Sequence, residues 1–327
     1  MSKKIISKEE AAAIRESKKA AAAARKKKRS TAIRLSKGDR IMDITINVIM
    51  TLLFLVVLYP LVYVLSSSFS SGKAVSDGKV FLWPVDFSVY GYKVVLQYPK
   101  VWIGYKNTII NTVLGTIMNV FTTTLVAYPL ARRTFQGKGF YMFIFMFTMW
   151  FGGGLVPTYI LMTKLGLVNN RLAVLLSGLV SISNMVVMRS FFRNSIPADL
   201  HDAARVDGIS DIGYLVKIVL PLSKAIFSVV TLYYAVAHWN SYFTAMIYLR
   251  DPNMMTLQQV LKDLLAQANP TASDMEGLTA EEMANMQAAA DLMKYSLIVV
   301  SAAPILCAYP FVQKYFEKGV MIGSVKG

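Results

Sequence analysis

The sequence predicts an all-α polytopic membrane protein with six transmembrane helices, and three observations carry that prediction. Of the 327 residues, 55% are hydrophobic and only 17% charged, with a mean hydropathy of +0.46. A soluble domain of this length needs more charge to cover its surface. The apolar residues also gather in continuous runs close to the roughly 20 residues that carry a helix across a bilayer. Finally, the runs lack the alternation, in segments of about ten residues, of a membrane barrel, the other structure that satisfies its backbone in lipid.

Residues 1–40 hold fourteen Lys/Arg against four acids, so most of the formal charge of +16 sits in one tail. An Ala- and Lys-rich stretch such as Ala20–Arg29 forms helix readily but has nothing apolar to bury. It is too long and too charged for a signal-peptide leader, and no small-residue cleavage site follows. The expectation is an uncleaved cytoplasmic tail facing anionic membrane lipid, not a nucleic-acid-binding arm. The spans then follow near Asp43–Leu65, Asn107–Leu130, Phe140–Met162, Leu172–Phe191, Ile218–Asn240 and Leu292–Val312. With the N-terminus inside, the inner segments carry 24 Lys/Arg and the outer ones 10, the sign that the positive-inside rule requires. The segments are thus a basic tail (1–40), a first span with its outer loop (41–106), a core of five spans (107–312) and a cytoplasmic tail (313–327). Within the core lie an inner loop (195–217) and an outer loop (250–291).

The first outer segment, 66–106, carries Trp83, Tyr90, Tyr92, Tyr98 and Trp102, an aromatic interfacial belt. The second is long and acidic, with helical stretches at Gln258–Ala268 and Ala280–Ala290. A loop of that length in a folded core is usually functional or disordered, and the functional reading, as an external docking element, is the favoured one. Gly152-Gly153-Gly154 and Pro157 interrupt span three. A hinge and a packing kink are both open there, and close approach of backbones favours the kink.

Catalytic parts are missing. No phosphate-cradling Gly-x-x-x-x-Gly-Lys-Ser/Thr occurs, His201 and His238 do not pair with acids at metal-ligand spacing, and the lone Cys307 sits in an apolar run as a small packing residue. No metal site and no bound cofactor are expected. Ionisable groups are scarce within the spans, whereas proton-coupled carriers need buried relays. Coupling to an external energy source is the simpler expectation. A stand-alone channel or secondary transporter for a polar solute is the alternative, and a membrane enzyme built on His238 lacks a nearby acid or nucleophile.

Two polar features mark the spans. Asn107, Asn111, Gly115 and Asn119 recur every four residues beside Thr108, Thr112 and Thr116, on one helix face. They either line an aqueous path or pack helices through amides and small residues. His238-Trp239-Asn240 closes span five, where an indole can stack on a sugar ring and the polar groups can bond hydroxyls. An interfacial anchor is the favoured alternative.

The organising stretch is the inner loop. Pro197 suits a first helical turn and Asp199 its positive end. Leu200, Ala203 and Ala204 make a small apolar face. Gly208 suits a helix C-terminus and Ser210 the cap of a second helix. Asp202-Ala203-Ala204, then Asp207-Gly208, then Ile218-x-Leu220-Pro221, resembles the Glu-Ala-Ala loop of ABC importer permeases. Phe81-Leu82-Trp83-Pro84, Gly153–Tyr159 and His238-Trp239-Asn240 extend the resemblance over residues 38–327. It is to the carbohydrate permeases of the maltose type, and within them to the oligosaccharide branch named for aldouronate uptake. The resemblance implies a type I importer fold and a coupling role for Asp202, Ala203, Ala204, Asp207, Gly208, Ile218 and Pro221. It further implies a second, homologous permease, an ABC ATPase dimer that binds ATP and magnesium, and an extracellular solute-binding protein. Asp202 stands where the family usually has Glu, one methylene shorter.

Overall fold

Several helices begin where a side chain satisfies the first free amides, as Ser71, Asn170, Ser181 and Ser210 do. The structure, a computed structural model, describes residues 36–268 and 279–324. The basic tail up to residue 35, the middle of the outer loop and Val325–Gly327 lie outside the described residues. The chain divides into two units, 1–61 and 62–327. Helix α1 (Lys37–Ser68) starts at a reciprocal cap, in which the Asp39 amide donates to Ser36 Oγ and the Ser36 amide to the Asp39 carboxylate. Its apolar side chains from Ile41 to Leu61 are exposed except Leu58, which is half-buried. Within the second unit, short helices α2 (Gly72–Ser76) and α3 (Tyr90–Gln97) fill the first outer segment. Trp83, Tyr90 and Trp102 there are exposed.

Helix α4 (Pro99–Ala131) runs unbroken for 33 residues, about 50 Å at 1.5 Å per residue. Its amphipathicity is the reverse of a soluble helix. Asn107, Thr108, Asn111, Thr116, Asn119, Thr123 and Thr124 are buried, while Ile109, Val113, Ile117, Phe121 and Leu125 are exposed. An apolar outer face over a polar inner one suits lipid as solvent.

The next segments are interrupted. Helices α5 (Lys138–Trp150) and α6 (Leu155–Lys164) meet at 111° across Phe151–Gly154. A Cβ added at Gly152, Gly153 or Gly154 meets nothing within 4 Å, so close approach is not what these glycines provide. The requirement is conformational: Gly154 has φ +84°. Pro157 falls in the first turn of α6, where its missing amide costs little. The expected fourth span is likewise split, into α7 (Arg171–Leu176) and α8 (Ile182–Ser195), with Gly178 at φ +74° between them. The carbonyls and amide freed at this break meet α4 and its neighbour. Leu179 O accepts from Thr122 Oγ1 at 3.1 Å and Gly178 O from Asn119 Nδ2 at 3.5 Å, while the Ser181 amide donates to Tyr234 Oη at 2.9 Å.

Beyond the inner helices α9 (Asp199–Val206) and α10 (Asp211–Tyr214), a π turn (Leu215–Val219) and the three-residue α11 (Leu220–Leu222) lead to α12 (Lys224–Trp239). The two arms meet at 84°. Ile218–Leu222 therefore belongs to the arm before the bend, and the fifth apolar segment is a bent pair whose second arm starts at Lys224. Helix α13 (Phe243–Tyr248) and a 3₁₀ turn (Pro252–Met254) precede α14 (Leu257–Ala268), close to the expected helix. Helix α15 (Ala280–Ser324) joins the expected loop helix and sixth span into one element. No glycine or proline separates them before Pro304, and Thr279 and Glu282 cap the start reciprocally. Cys307, on this helix, is exposed rather than packed.

Among the described residues, three helices are long and apolar enough to cross a membrane, and five elements if each bent pair counts as one. Two apolar cores sit at the two ends of α4. Ala127 and Leu130 join Met185, Met188, Phe192, Val219 and Val230 at one end; Val101 joins Leu257, Val260, Trp239 and Leu297 at the other.

Candidate coupling loop and polar layer

The inner loop folds as a closed knob. Ala198 precedes α9, so Pro197 lies just outside the helix. Asp199 and Asp202 occupy the first turn, where the helix dipole favours negative charge. The helix ends in a paired closure: Gly208, at φ +73°, donates to Arg205 O at 3.1 Å, and the Ile209 amide reaches Ala204 O at 2.9 Å. This is a Schellman motif, which needs a left-handed residue at the position of Gly208. Ser210 Oγ then accepts from the Gly213 amide at 3.1 Å and starts α10.

The predicted apolar face divides. Ala204 is buried in the inner core, whereas Leu200 and Ala203 face outward. Val206 and Ile212 are more exposed still, at 88% and 76%. Asp202 and Asp207 are exposed beside them, Ile218 packs against the inner core from the π turn, and Pro221 is exposed just before the bend.

Behind the knob lies a cluster that sequence reasoning missed. Arg132, one residue past α4, donates to Tyr128 Oη at 2.7 Å and to Asp211 Oδ1 at 3.0 Å, and also meets His201 Nε2. Its guanidinium sits over the rings of Tyr128 and Tyr214, at 5.5 and 5.6 Å. Tyr128 Oη donates to Asp211 O at 3.1 Å, and the His201 ring meets Tyr214 edge-on. A cavity of about 270 Å³ adjoins the cluster, lined by Arg132, Arg133, Arg193, His201 and Asp202 among others. In the sequence, Arg132 registered only as one positive charge of a short inner loop.

The polar stripe serves two purposes along its length. At the start of α4, Arg171 forks onto Asn107 Oδ1 at 2.8 Å and Asn111 Oδ1 at 2.9 Å. Asn107 Nδ2 donates to the carbonyls of Asn253 and Met255, and Thr108 Oγ1 accepts from the Leu257 amide at 2.8 Å. This part holds down the segment leading into α14. Further along, Gly115 lets α12 approach, since a Cβ there would lie 2.4 Å from the His238 ring. Asn119 and His238 border a cavity of about 280 Å³ with Ser177, Ser181, Asn184 and Ser241. On its wall, Asn119 Oδ1 and His238 Nε2 are buried without a hydrogen-bond partner. Buried unpaired polar atoms beside a cavity call for water or a hydroxyl-bearing solute.

Trp239 is neither an interfacial anchor nor an open stacking platform. It is buried in the second core and donates from Nε1 to Ser301 O at 3.1 Å. Asn240 is exposed and bonds back to Val236 O.

A scan against protein-family models matches none. Individual relatives are informative. The chain is 34% identical to the polygalacturonan/rhamnogalacturonan transport system permease protein YtcP of Bacillus subtilis (strain 168), over 88% of this chain and 99% of that protein. It is 33% identical to protein LplC of the same organism, over 89% and 97%. Among solved structures, a bacterial ABC transporter involved in the import of the acidic polysaccharide alginate superposes with a TM-score of 0.77 at 36% identity, over 87% of this chain and the whole of that one. A near full-length match to such permeases, on an all-helical fold with lipid-suited faces, settles the class: this chain belongs to the membrane-spanning permease subunits of carbohydrate-importing ABC transporters, which are not themselves the ATP-hydrolysing subunits.

Proposed function

We propose that this chain is one half of the translocation core of a type I importer with six spans, paired with a second, homologous permease in the bacterial cytoplasmic membrane. The 107–312 stretch forms the transporting core, and both termini and the inner loop face the cytoplasm. The observation that carries the reading is the knob: Leu200, Ala203, Val206 and Ile212 exposed together beside the carboxylates of Asp202 and Asp207. Apolar side chains displayed on a charged inner loop need a protein partner. An ABC ATPase dimer, holding ATP and magnesium, supplies a cleft for such a helix. Asp202 and Ala203 sit on the docking helix, Ala204 anchors it in the inner core, Asp207 and Gly208 close it, and Ile218 and Pro221 connect it to the bend.

When ATP closes the dimer the knob moves with it and the core switches to face outward; hydrolysis resets it. An extracellular solute-binding protein delivers the sugar at the outer loop, 250–291. The polar layer around Asn119 and His238 lies on the path, and the tail of residues 1–40 rests on anionic lipid. The relatives named for polygalacturonan/rhamnogalacturonan and for alginate put uronate-containing oligosaccharides first among the sugars to try.

The test is Gly208→Asp in the intact complex. Oligosaccharide uptake and ATP hydrolysis stimulated by the loaded binding protein are both expected to be lost. Normal uptake with normal stimulation refutes the coupling role.

A further inference from the structure

We infer that α4 is the transmission rod of this subunit: it carries the signal between the inner knob and the outer loop, through a latch at each end, and Arg132 and Thr108 are the positioning residues of those latches. The inference rests on the importer reading above. It departs from the simpler idea that the knob acts through the chain that follows it, by way of Pro221.

The covalent route is poorly built to carry thrust. From the knob, Asp211–Leu222 runs as one helical arm that carries a π turn, and it meets α12 at an 84° bend at Ser223. The through-space route is stiff. Arg132 bridges the end of α4 to α10 through Asp211 and to α9 through His201, and its planar group is held over two aromatic rings. Tyr128, one turn earlier on α4, binds both Arg132 and the backbone of Asp211. Arg189 Nε adds a bond to Leu130 O at 3.0 Å, tying α8 to the same helix end. The knob cannot shift without moving Arg132 or breaking this bracket.

At its other end α4 holds the outer segment by backbone contacts. Asn107 binds two carbonyls of residues 253–255, Thr108 binds the first amide of α14, and Arg171 fixes Asn107 from behind. Between the latches α4 has no break, whereas α5–α6, α7–α8 and α11–α12 are each interrupted. One rigid helix with a side-chain bracket on the inner loop and another on the outer loop is the element through which both can bias each other.

The experiment measures ATP hydrolysis by the purified complex in nanodiscs, with and without sugar-loaded binding protein. Arg132→Ala at the inner latch and Thr108→Val at the outer latch each lower the stimulation about fivefold or more, the size of a coupling free energy between sites, while unstimulated hydrolysis persists. Combined, they lower it no further than the more severe single change, because the two latches act in series. Should Arg132→Ala fail to assemble, Tyr128→Phe removes one hydroxyl from the same bracket and must also lower the stimulation. Arg132→Lys, which keeps the charge and loses the fork, lies between wild type and Arg132→Ala. Wild-type stimulation in both Tyr128→Phe and Thr108→Val, or a double change whose loss is the product of the two singles, overturns the inference. Failure of the importer reading looks different: the unaltered chain would assemble with no ATPase at all.

Discussion

Gly104→Ala tests whether α14 is seated on α4 as closely as the structure has it. A Cβ at residue 104 would lie 2.9 Å from Leu257 Cα and 3.2 Å from Val260 Cγ2. Carbon atoms settle at about 3.5–4.0 Å, so the helices must part by something near 1 Å. The obstacle is backbone, which cannot swing aside. Overpacking of this kind costs about 1–3 kcal/mol. The separation also strains the 2.8 Å bond from the Leu257 amide to Thr108 Oγ1, with about 1 kcal/mol more at stake. At the low end the total is about 2 kcal/mol, which lowers the protection of the seated segment roughly 30-fold. Hydrogen exchange of the complex in nanodiscs reads this directly: amides of 257–265 are expected to exchange faster, and those of α8 at their former rate. Gly153→Ala is the control, since nothing lies within 4 Å of its Cβ. Wild-type protection of 257–265 in Gly104→Ala would refute the seat, and with it the outer latch.

Tyr234→Phe strips the hydroxyl that accepts from the Ser181 amide and pairs with Thr123 at 2.7 Å. The expected loss is about 1 kcal/mol of stability, seen as a lower denaturation temperature of the solubilised complex, and an unchanged temperature removes the bond from the account. Asn119→Leu replaces a polar wall of the 280 Å³ cavity by an apolar one. Uptake of oligosaccharide is expected to fall about tenfold, a difference of 1.4 kcal/mol, at equal amounts of protein in the membrane; unchanged uptake takes Asn119 off the path.

The inner loop was legible in the sequence because its signals are local. Ser210 and Gly208 cap helices within a few residues of themselves, and both do so in the structure. The bend before α12 was not legible because apolar character runs through Ile218–Leu222 without a mark, while the 84° bend depends on what surrounds it. The split between α7 and α8 was missed for a related reason: Ser177–Ser181 resembles other small residues in a span, and only partners on α4 and α12 make its exposed backbone tolerable. Periodicity showed that Asn107, Asn111 and Asn119 share a face. It carried no information on which of them meets a cavity and which meets Arg171, since Arg171 and the residues that close the cavity all lie far along the chain.

The broken segments explain why α4 must be both polar and unbroken. A helix interrupted within a membrane leaves carbonyls and amides that water cannot reach. Here the interruption at 177–181 is met by Asn119, Thr122 and, through Tyr234, Thr123, and the irregular segment at 253–257 by Asn107 and Thr108. One regular helix therefore supplies hydrogen bonds to two irregular segments, with its own ladder intact. Irregular segments are the ones able to change shape cheaply, and a transporter needs them beside its path. The buried stripe of α4 thus bears constraints its lipid-facing side does not. Ile117 and Phe121, exposed and apolar, hold no backbone segment of another helix. A change at Thr122 or Asn107 releases a backbone segment on another helix, and its effect appears there instead of on α4.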